Sequence, residues 1–392
     1  MRMSSLYRQR GITIVELMIA LVVSSIILIG VATVYTSSKR AYKIQEEMSR
    51  LQENARFGFE FMVRDIRMAG YSGCNPSTNS LLNPVPSSSA LFDFQSGVGG
   101  FEYTASPTSP GSDYTITSLT NTGAVGDWQG FDWDGDGNPD DLINELQNRV
   151  LEGNDVLIVR TANTREDLVL NAFTPATSAS LTFTTATDIP DGAIVIVSNC
   201  NRGDMFQNNP GGGGGNATAL TRAAAGNPGN LAGVDFSQDY FPDNTSVHEV
   251  RTYAYFVGPG ASGEPALMRA DFSQGLAGFP VEELVEGVEN MQVLYGEDMT
   301  PADENIQPEQ YVNAHQITDP NNVVSVRISL LLRTPQEMNR PSQAGTFRLL
   351  GSTNNSGVDI TTQADRRIRR VFTTTVFMRN KSIYRQPPGA QR

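Results

Sequence analysis

An unbroken apolar run near the N-terminus, Ile12–Tyr35 (ITIVELMIALVVSSIILIGVATVY), carries a single formal charge, Glu16, and no proline. As a helix it is long enough to cross roughly 30 Å of hydrocarbon. The residues before it, MRMSSLYRQRG, hold Arg2, Arg8 and Arg10 and no acid. A basic start is retained on the cytoplasmic side, which orients the rest of the chain outward. Lys39, Arg40 and Lys43 on the far side of the run weaken that rule, so the leader supports this orientation without deciding it.

A secretory signal ends its apolar run at a small-residue cleavage site and is then discarded. Here the run passes into a further helical pattern, and the small residue, Gly11, stands before it. Cleavage after Gly11 would remove the basic leader alone and leave the apolar helix on the mature chain. It would also place a new α-amino group on Ile12, four residues from Glu16. A carboxylate inside an apolar span is costly unless paired or at the interface. Residues i and i+4 share a helix face, so Glu16 can reach that amine in its own chain. In an assembly it can reach the amine of a neighbouring subunit at low dielectric. A carboxylate that simply snorkels to the membrane edge is the alternative.

Beyond the run, Ile44, Met48, Leu51, Ala55, Gly58, Met62, Ile66 and Ala69 recur at spacings of three and four. That stripe on an otherwise charged segment marks a helix with one packed face. No proline precedes Pro76, so one helix from Ile12 to about Ala69 is expected, roughly 85–90 Å long at 1.5 Å per residue.

The segment Gly11-Ile12-Thr13-Ile14-Val15-Glu16-Leu17 resembles the N-terminus of the type IV pilin family, which includes the pseudopilins of type II secretion. The resemblance implies a prepilin leader over residues 1–11, cut by a prepilin peptidase between Gly11 and Ile12. It further implies N-methylation of Ile12 and a role for Glu16 in subunit assembly. Ile12 stands where the family most often has Phe, and the proline that many major pilins carry in the apolar helix is absent from this sequence. Four further segments are similar to PilW-type minor pilins: Ser49–Cys74, Val197–Gln207, Val285–Asp298 and Asn321–Thr334. That subtype implies an accessory subunit that primes or caps a pilus, with other minor and major pilins as partners through the N-terminal helix. The expected location is the inner membrane with a periplasmic head, then the pilus or cell surface of a Gram-negative bacterium. A minor pseudopilin of a type II secretion system shares nearly all these features.

The remaining chain is rich in Gly (36) and Pro (21) with 18% charged residues, a mixture that favours short strands and long loops. Strands are expected at Asp155–Arg160, Ser180–Thr185, Ala193–Asn199, Val247–Val257, Ala266–Ala270, Met291–Tyr295, Val323–Leu332 and Val371–Phe377. In Val323–Leu332 the alternation predicts a buried face of Val324, Val326, Ile328 and Leu330, with Ser325, Arg327 and Ser329 opposite. Val281–Glu289 reads equally as a short helix or a strand. The expected fold is α+β and pilin-like: the long helix packed on an antiparallel β-sheet head. Its divisions are a transmembrane and assembly helix over 12–36, the amphipathic half of that helix over 37–70, a loop-rich β insertion or lobe over 71–245, and a β-rich core over 246–392.

A net charge of −13 argues against nucleic-acid binding, which needs Lys and Arg to displace phosphate counterions. The two cysteines, Cys74 and Cys200, allow one pairing only, and an exported chain meets conditions that favour a disulfide. Asp132, Asp134, Asp136, Asn138 and Asp140 fit the opening of an EF-hand-like calcium loop, with Gly137 at its sixth position. Ile143 stands at the twelfth, where a bidentate Glu is usual. A plain acidic turn is the competing reading, and a calcium-dependent adhesin acting through residues 75–245 is the functional alternative. His248 and His315 have no partner at catalytic or metal spacing, and the Gly211–Gly215 run lacks the Lys-Ser/Thr of a P-loop. No enzymatic activity is expected.

Overall fold

The computed structural model describes residues 11–71, 73, 78–84, 90–94, 96–104, 113–133, 135, 137–199, 201–209, 217–301, 305–351 and 357–380. One α-helix runs from Ile14 to Met68. The chain divides into two compact units, residues 1–50 and residues 51–392. In the first, the helix exposes Ile14, Val15, Leu17 and Ile27 alike, and at 100° per residue these four point in four different directions, so apolar side chains cover its whole circumference.

In the second unit the helix buries Leu51, Ala55, Met62, Ile66 and Ala69. This is the stripe read from the sequence. Gly58 lies on it because a Cβ there would stand 3.2 Å from Leu267 Cδ2 and 3.4 Å from Val285 Cγ2, which brings the helix close onto two strands. Ile44, at the start of the predicted stripe, is 41% exposed. The helix ends at Gly70, in the left-handed region at φ +75°. Its last carbonyls are satisfied from distant segments: Met68 O accepts from Thr161 Oγ1 (3.0 Å) and Asn380 Nδ2 (3.0 Å). Gly70 N donates to Arg160 O (2.9 Å). Helix ends need such partners when they are buried.

The largest sheet has nine strands. Its main path runs Thr78–Ser80, Gly203–Gln207, Ile194–Ser198, Ser246–Pro259, Val156–Arg165, Val98–Tyr103 and Trp128–Gly130. Strands Pro265–Asp271 and Val281–Glu286 branch from the far half of Ser246–Pro259. That 14-residue strand is therefore shared by two neighbourhoods: Val247–Tyr255 pairs with Val156–Arg165, and Tyr253–Pro259 pairs with Pro265–Asp271. A second sheet has four antiparallel strands, Gln310–Val312, Val288–Glu297, Val323–Arg333 and Arg369–Phe377. Smaller sheets comprise Thr346–Leu349, Val358–Thr361 and Tyr114–Thr115, and Ser180–Thr182 with Ala219–Thr221. Among the described strands, pairing is antiparallel except for Thr78–Ser80 with Gly203–Gln207 and Val358–Thr361 with Tyr114–Thr115. The fold is α+β, as expected.

Two details depart from or complete the sequence reading. The ambiguous stretch Val281–Glu289 is two strands broken at Gly287, whose φ is +83°. In Val323–Arg333 both faces are covered, for Ser325 and Ser329 are as buried as Val326 and Ile328. The second face meets a small core containing Leu331, Leu294, Leu349, Leu350 and Ile360. Ser329 Oγ accepts from Leu350 N (2.8 Å), and the Arg327 guanidinium lies 3.9 Å from the Tyr311 ring centroid. The hydroxyls are tolerated there because they are hydrogen-bonded.

The nine- and four-stranded sheets meet along residues 153–155. Asp155 N donates to Met291 O (3.0 Å), Val293 N donates to Asp155 Oδ2 (2.7 Å), and Asn290 Nδ2 donates to Gly153 O (2.6 Å). Tyr295 closes the seam by donating to Gly99 O (2.8 Å).

Candidate functional site

Gly11, Ile12 and Thr13 form a non-helical lead-in to the helix. Ile12 is 76% exposed, and nothing lies within 4 Å of a Cβ placed on Gly11. The Gly11–Ile12 bond thus sits in open, irregular backbone, the kind of site a peptidase can engage.

Thr13 caps the helix. Leu17 N donates to Thr13 O (3.2 Å), Glu16 N donates to Thr13 Oγ1 (3.3 Å), and Thr13 N and Oγ1 each donate to Glu16 Oε2 at 3.0 Å. This reciprocal arrangement is a capping box, which satisfies donors that a helix start leaves orphaned. Glu16 therefore has a partner inside its own chain besides the Ile12 amine considered above. The sequence signal for it is Thr13-x-x-Glu16 ahead of an apolar run.

The apolar part of the helix reaches a mean hydropathy of 2.7 over an 18-residue window. Two of its hydroxyls turn back on the backbone: Ser25 Oγ donates to Val22 O (2.8 Å) and Thr33 Oγ1 to Ile29 O (2.7 Å). No polar group of theirs needs water, which suits a hydrocarbon environment.

Elsewhere the predicted residues are divided. In the acidic turn, Asp132 Oδ1 accepts from Gly135 N (2.7 Å), Asp132 Oδ2 from Gly137 N (2.8 Å), and Asp140 Oδ2 from Trp133 N (3.0 Å). Gly135 and Gly137 have φ of +75° and +90°. Asn138 is exposed on the same turn, whereas Asp134 and Asp136 lie outside the described residues. Cys74 and Cys200 lie outside them as well. Their described neighbours converge, since Ser198 Oγ sits 3.3 Å from His248 Nε2 and a Cβ on Gly73 would collide with that same nitrogen.

His248 is buried, with Nδ1 3.0 Å from Thr164 Oγ1, and burial pulls its pKa down to about 4. It is a hydrogen-bonded core histidine between hydroxyls. His315 is half-buried, and burial lowers its pKa too. The buried ionic cluster of Glu289, Arg333, Arg369, Glu264 and Asp365 escaped the sequence reading. It joins strand ends from four parts of the chain that nothing local connects.

The PilW family (Type IV Pilus-assembly protein W) matches residues 254–380, and the Prokaryotic N-terminal methylation motif matches residues 6–32. No curated protein and no solved structure matches the chain. The first match takes in the four-stranded sheet, the branch strands and two of the four PilW-like segments, Val285–Asp298 and Asn321–Thr334. The second takes in Gly11, Ile12, the Thr13–Glu16 cap and most of the apolar run. With an exposed apolar helix long enough to cross a membrane and a β-rich head, the chain is type IV pilin-like, and it is similar to the PilW family over about a third of its length.

Proposed function

We propose that this protein is a minor pilin that primes or caps a type IV pilus after prepilin peptidase cuts between Gly11 and Ile12 and methylates Ile12. The observation that carries this reading is the junction itself: an open Gly11–Ile12 bond, then a capped helix with every face apolar and nothing among the described residues of its own unit to bury it. Such a surface requires lipid first and neighbouring helices afterwards. Other minor and major pilins are the partners that chemistry fits. The test is the intact mass and N-terminus of the membrane-extracted chain, with and without the peptidase. A methylated Ile12 start that depends on the peptidase is expected; an uncleaved chain, or cleavage beyond Tyr35, would overturn the proposal. Deletion separates a pilus subunit from a minor pseudopilin, since the first abolishes piliation and the second abolishes type II secretion.

Two accessory features belong to the same reading. The positive φ of Gly137, at the sixth position of the acidic turn, favours a calcium ion held by Asp132, Asp134, Asp136, Asn138 and Asp140. Terbium luminescence sensitised by Trp133, and quenched by added calcium, is the expected readout. The meeting of Gly73 and Ser198 at His248 supports a Cys74–Cys200 disulfide. Protein purified without reductant then titrates as thiol-free.

A further inference from the structure

Strand Arg369–Phe377 closes one side of the four-stranded sheet and pairs with Val323–Arg333 alone. We propose that its free edge takes up an extended segment of another protein, apolar at alternate positions and acidic at its ends, as an added strand. The inference holds whichever machine the chain serves, because no residue of the apolar run takes part.

The ladder fixes which groups face outward. Thr334 N donates to Ile368 O (2.9 Å) at one end of the pairing, and Met378 N donates to Val324 O (3.0 Å) at the other. Ile368 and Met378 are an even number of residues apart, and antiparallel residues alternate between bonding the partner strand and facing away from it. The N–H and C=O groups of Val371, Thr373, Thr375 and Phe377 therefore point outward, and these backbone groups have no hydrogen-bond partner among the described residues. Arg379 N, next in that series, donates to Arg67 O (3.3 Å), which ends the open stretch at the helix terminus. Edges are ordinarily blunted by shortness, proline, bulges or charge. Val371–Phe377 has neither proline nor charge, its register runs without a shift, and Phe377 is 51% exposed.

Two features select the occupant. A groove of about 510 Å³ lies between this strand and the helix, with Phe59, Val63 and Phe372 in its lining beside Arg56 and Glu60. An added strand turns every second side chain to that side, so apolar residues at alternate positions meet the groove. Charge is the second feature. Residues 323–392 hold twelve Lys and Arg against three Asp and Glu, in a chain whose net charge is −13. Arg370 and Arg379 flank the uncharged stretch, and Arg327 Nε donates to Thr375 Oγ1 (3.3 Å). Arg56 and Arg370 are exposed and form no ion pair among the described residues. Acidic side chains at both ends of an incoming strand complement these groups. A second copy does not, since two such strands paired antiparallel would set Arg370 of each near the Arg379 end of the other. A lipid headgroup matches the charge but offers no row of alternating donors and acceptors.

Fluorescence polarisation on the full chain in zwitterionic detergent tests the proposal. The probe is a labelled peptide of alternating valine and threonine flanked by glutamates. Comparators are the same peptide flanked by lysines, the glutamate peptide with its core nitrogens methylated, and micelles doped with phosphatidylglycerol. Saturable binding of the glutamate peptide alone is expected, weakening as salt is added. Thr375→Pro removes one outward N–H and none that Val323–Arg333 uses, a change that strand edges accept. Arg370→Glu reverses one flanking charge. Each leaves the thermal transition in place and weakens the glutamate peptide about tenfold, the size of one or two lost hydrogen bonds. The proposal is overturned if that peptide does not bind saturably, if its methylated form binds equally well, or if neither variant changes the affinity. Displacement of the peptide by phosphatidylglycerol, or a dimer of the chain that Thr375→Pro abolishes, would overturn it as well.

Discussion

The two ends of the single helix are built from the same backbone and meet opposite fates. Over Ile14–Tyr35 apolar side chains point in every direction, and Ile14, Leu28 and Tyr35 are 78%, 68% and 68% exposed. Over residues 51–69 the apolar residues keep to one stripe, and Met62, Ile66 and Ala69 are fully buried. Hydrophobicity alone does not bury a residue; a face must exist for it to meet. The stripe finds strands Pro265–Asp271 and Val281–Glu286 through the gap at Gly58. The all-round run has no such face among the described residues of its own unit, a pattern that suits a hydrocarbon environment.

The sharpest way to break this contrast is to shorten one apolar side chain in each stretch. Ile66→Ala should cost the head about 2–5 kcal/mol, the range for a fully buried aliphatic side chain. Ile26→Ala, at a position 64% exposed, should leave the head's thermal transition unmoved. Differential scanning calorimetry of the two variants in detergent checks both, and equal shifts would erase the distinction.

A second difference lies in pH dependence, which only the packed unit should show. Burial raises the Asp155 carboxyl to about 7, against the hydrogen bonds from Val293 N, Tyr103 N and Glu102 that lower it. The folded state therefore holds a proton that the unfolded state has lost, and stability falls as pH rises from about 4 to about 7. His248 acts in the opposite sense. Its folded pKa of about 4 lies below the ordinary 6.5, so its contribution rises with pH through that interval. The two partly cancel in the native protein. Asp155→Asn should expose the histidine limb, so that the melting temperature climbs between pH 4.5 and 6.5 and then levels. A profile unchanged by the substitution would contradict the assignment.

Gly58→Ala probes the contact itself. The added methyl meets Leu267 Cδ2 at 3.2 Å, so overpacking of about 1–3 kcal/mol is expected. Gly30→Ala, with nothing within 4 Å, should leave the head unchanged when the two variants are unfolded in urea. The smallest effect belongs to the cap. Thr13→Ala should cost the helix start about 1 kcal/mol, read as faster amide exchange over residues 14–17 while the head's protection stays as it was.

Much of this was legible in the residues. Helix limits came within two residues of Ile14 and Met68, since period, absence of proline and Gly70 all act locally. Eight strands were placed for the same reason. The short ones, such as Gly203–Gln207, Thr346–Leu349 and Val358–Thr361, were missed because too few residues repeat to set a period. Of the sites, Gly11, Ile12 and Glu16 stand in a local motif that any reader can find. Nothing local marks the surroundings of Trp133. Its contact with Arg160 and its place at Gly99 join segments far apart in the chain.

By itself the sequence determined the order of parts: a basic start, an apolar helix opening on Thr13 and Glu16, an amphipathic continuation, and a β-rich head. These follow from charge, length and periodicity, which operate between near neighbours. Only the tertiary structure decided that Ser325 and Ser329 lie under a second layer, and that Ser246–Pro259 is shared between two sets of strands. It alone decided that Asp155 seals the seam between sheets and that the Arg160 guanidinium packs on the Trp133 ring. Each depends on which distant strands pair, and pairing partners are chosen by the burial of whole faces, which no short stretch of residues encodes.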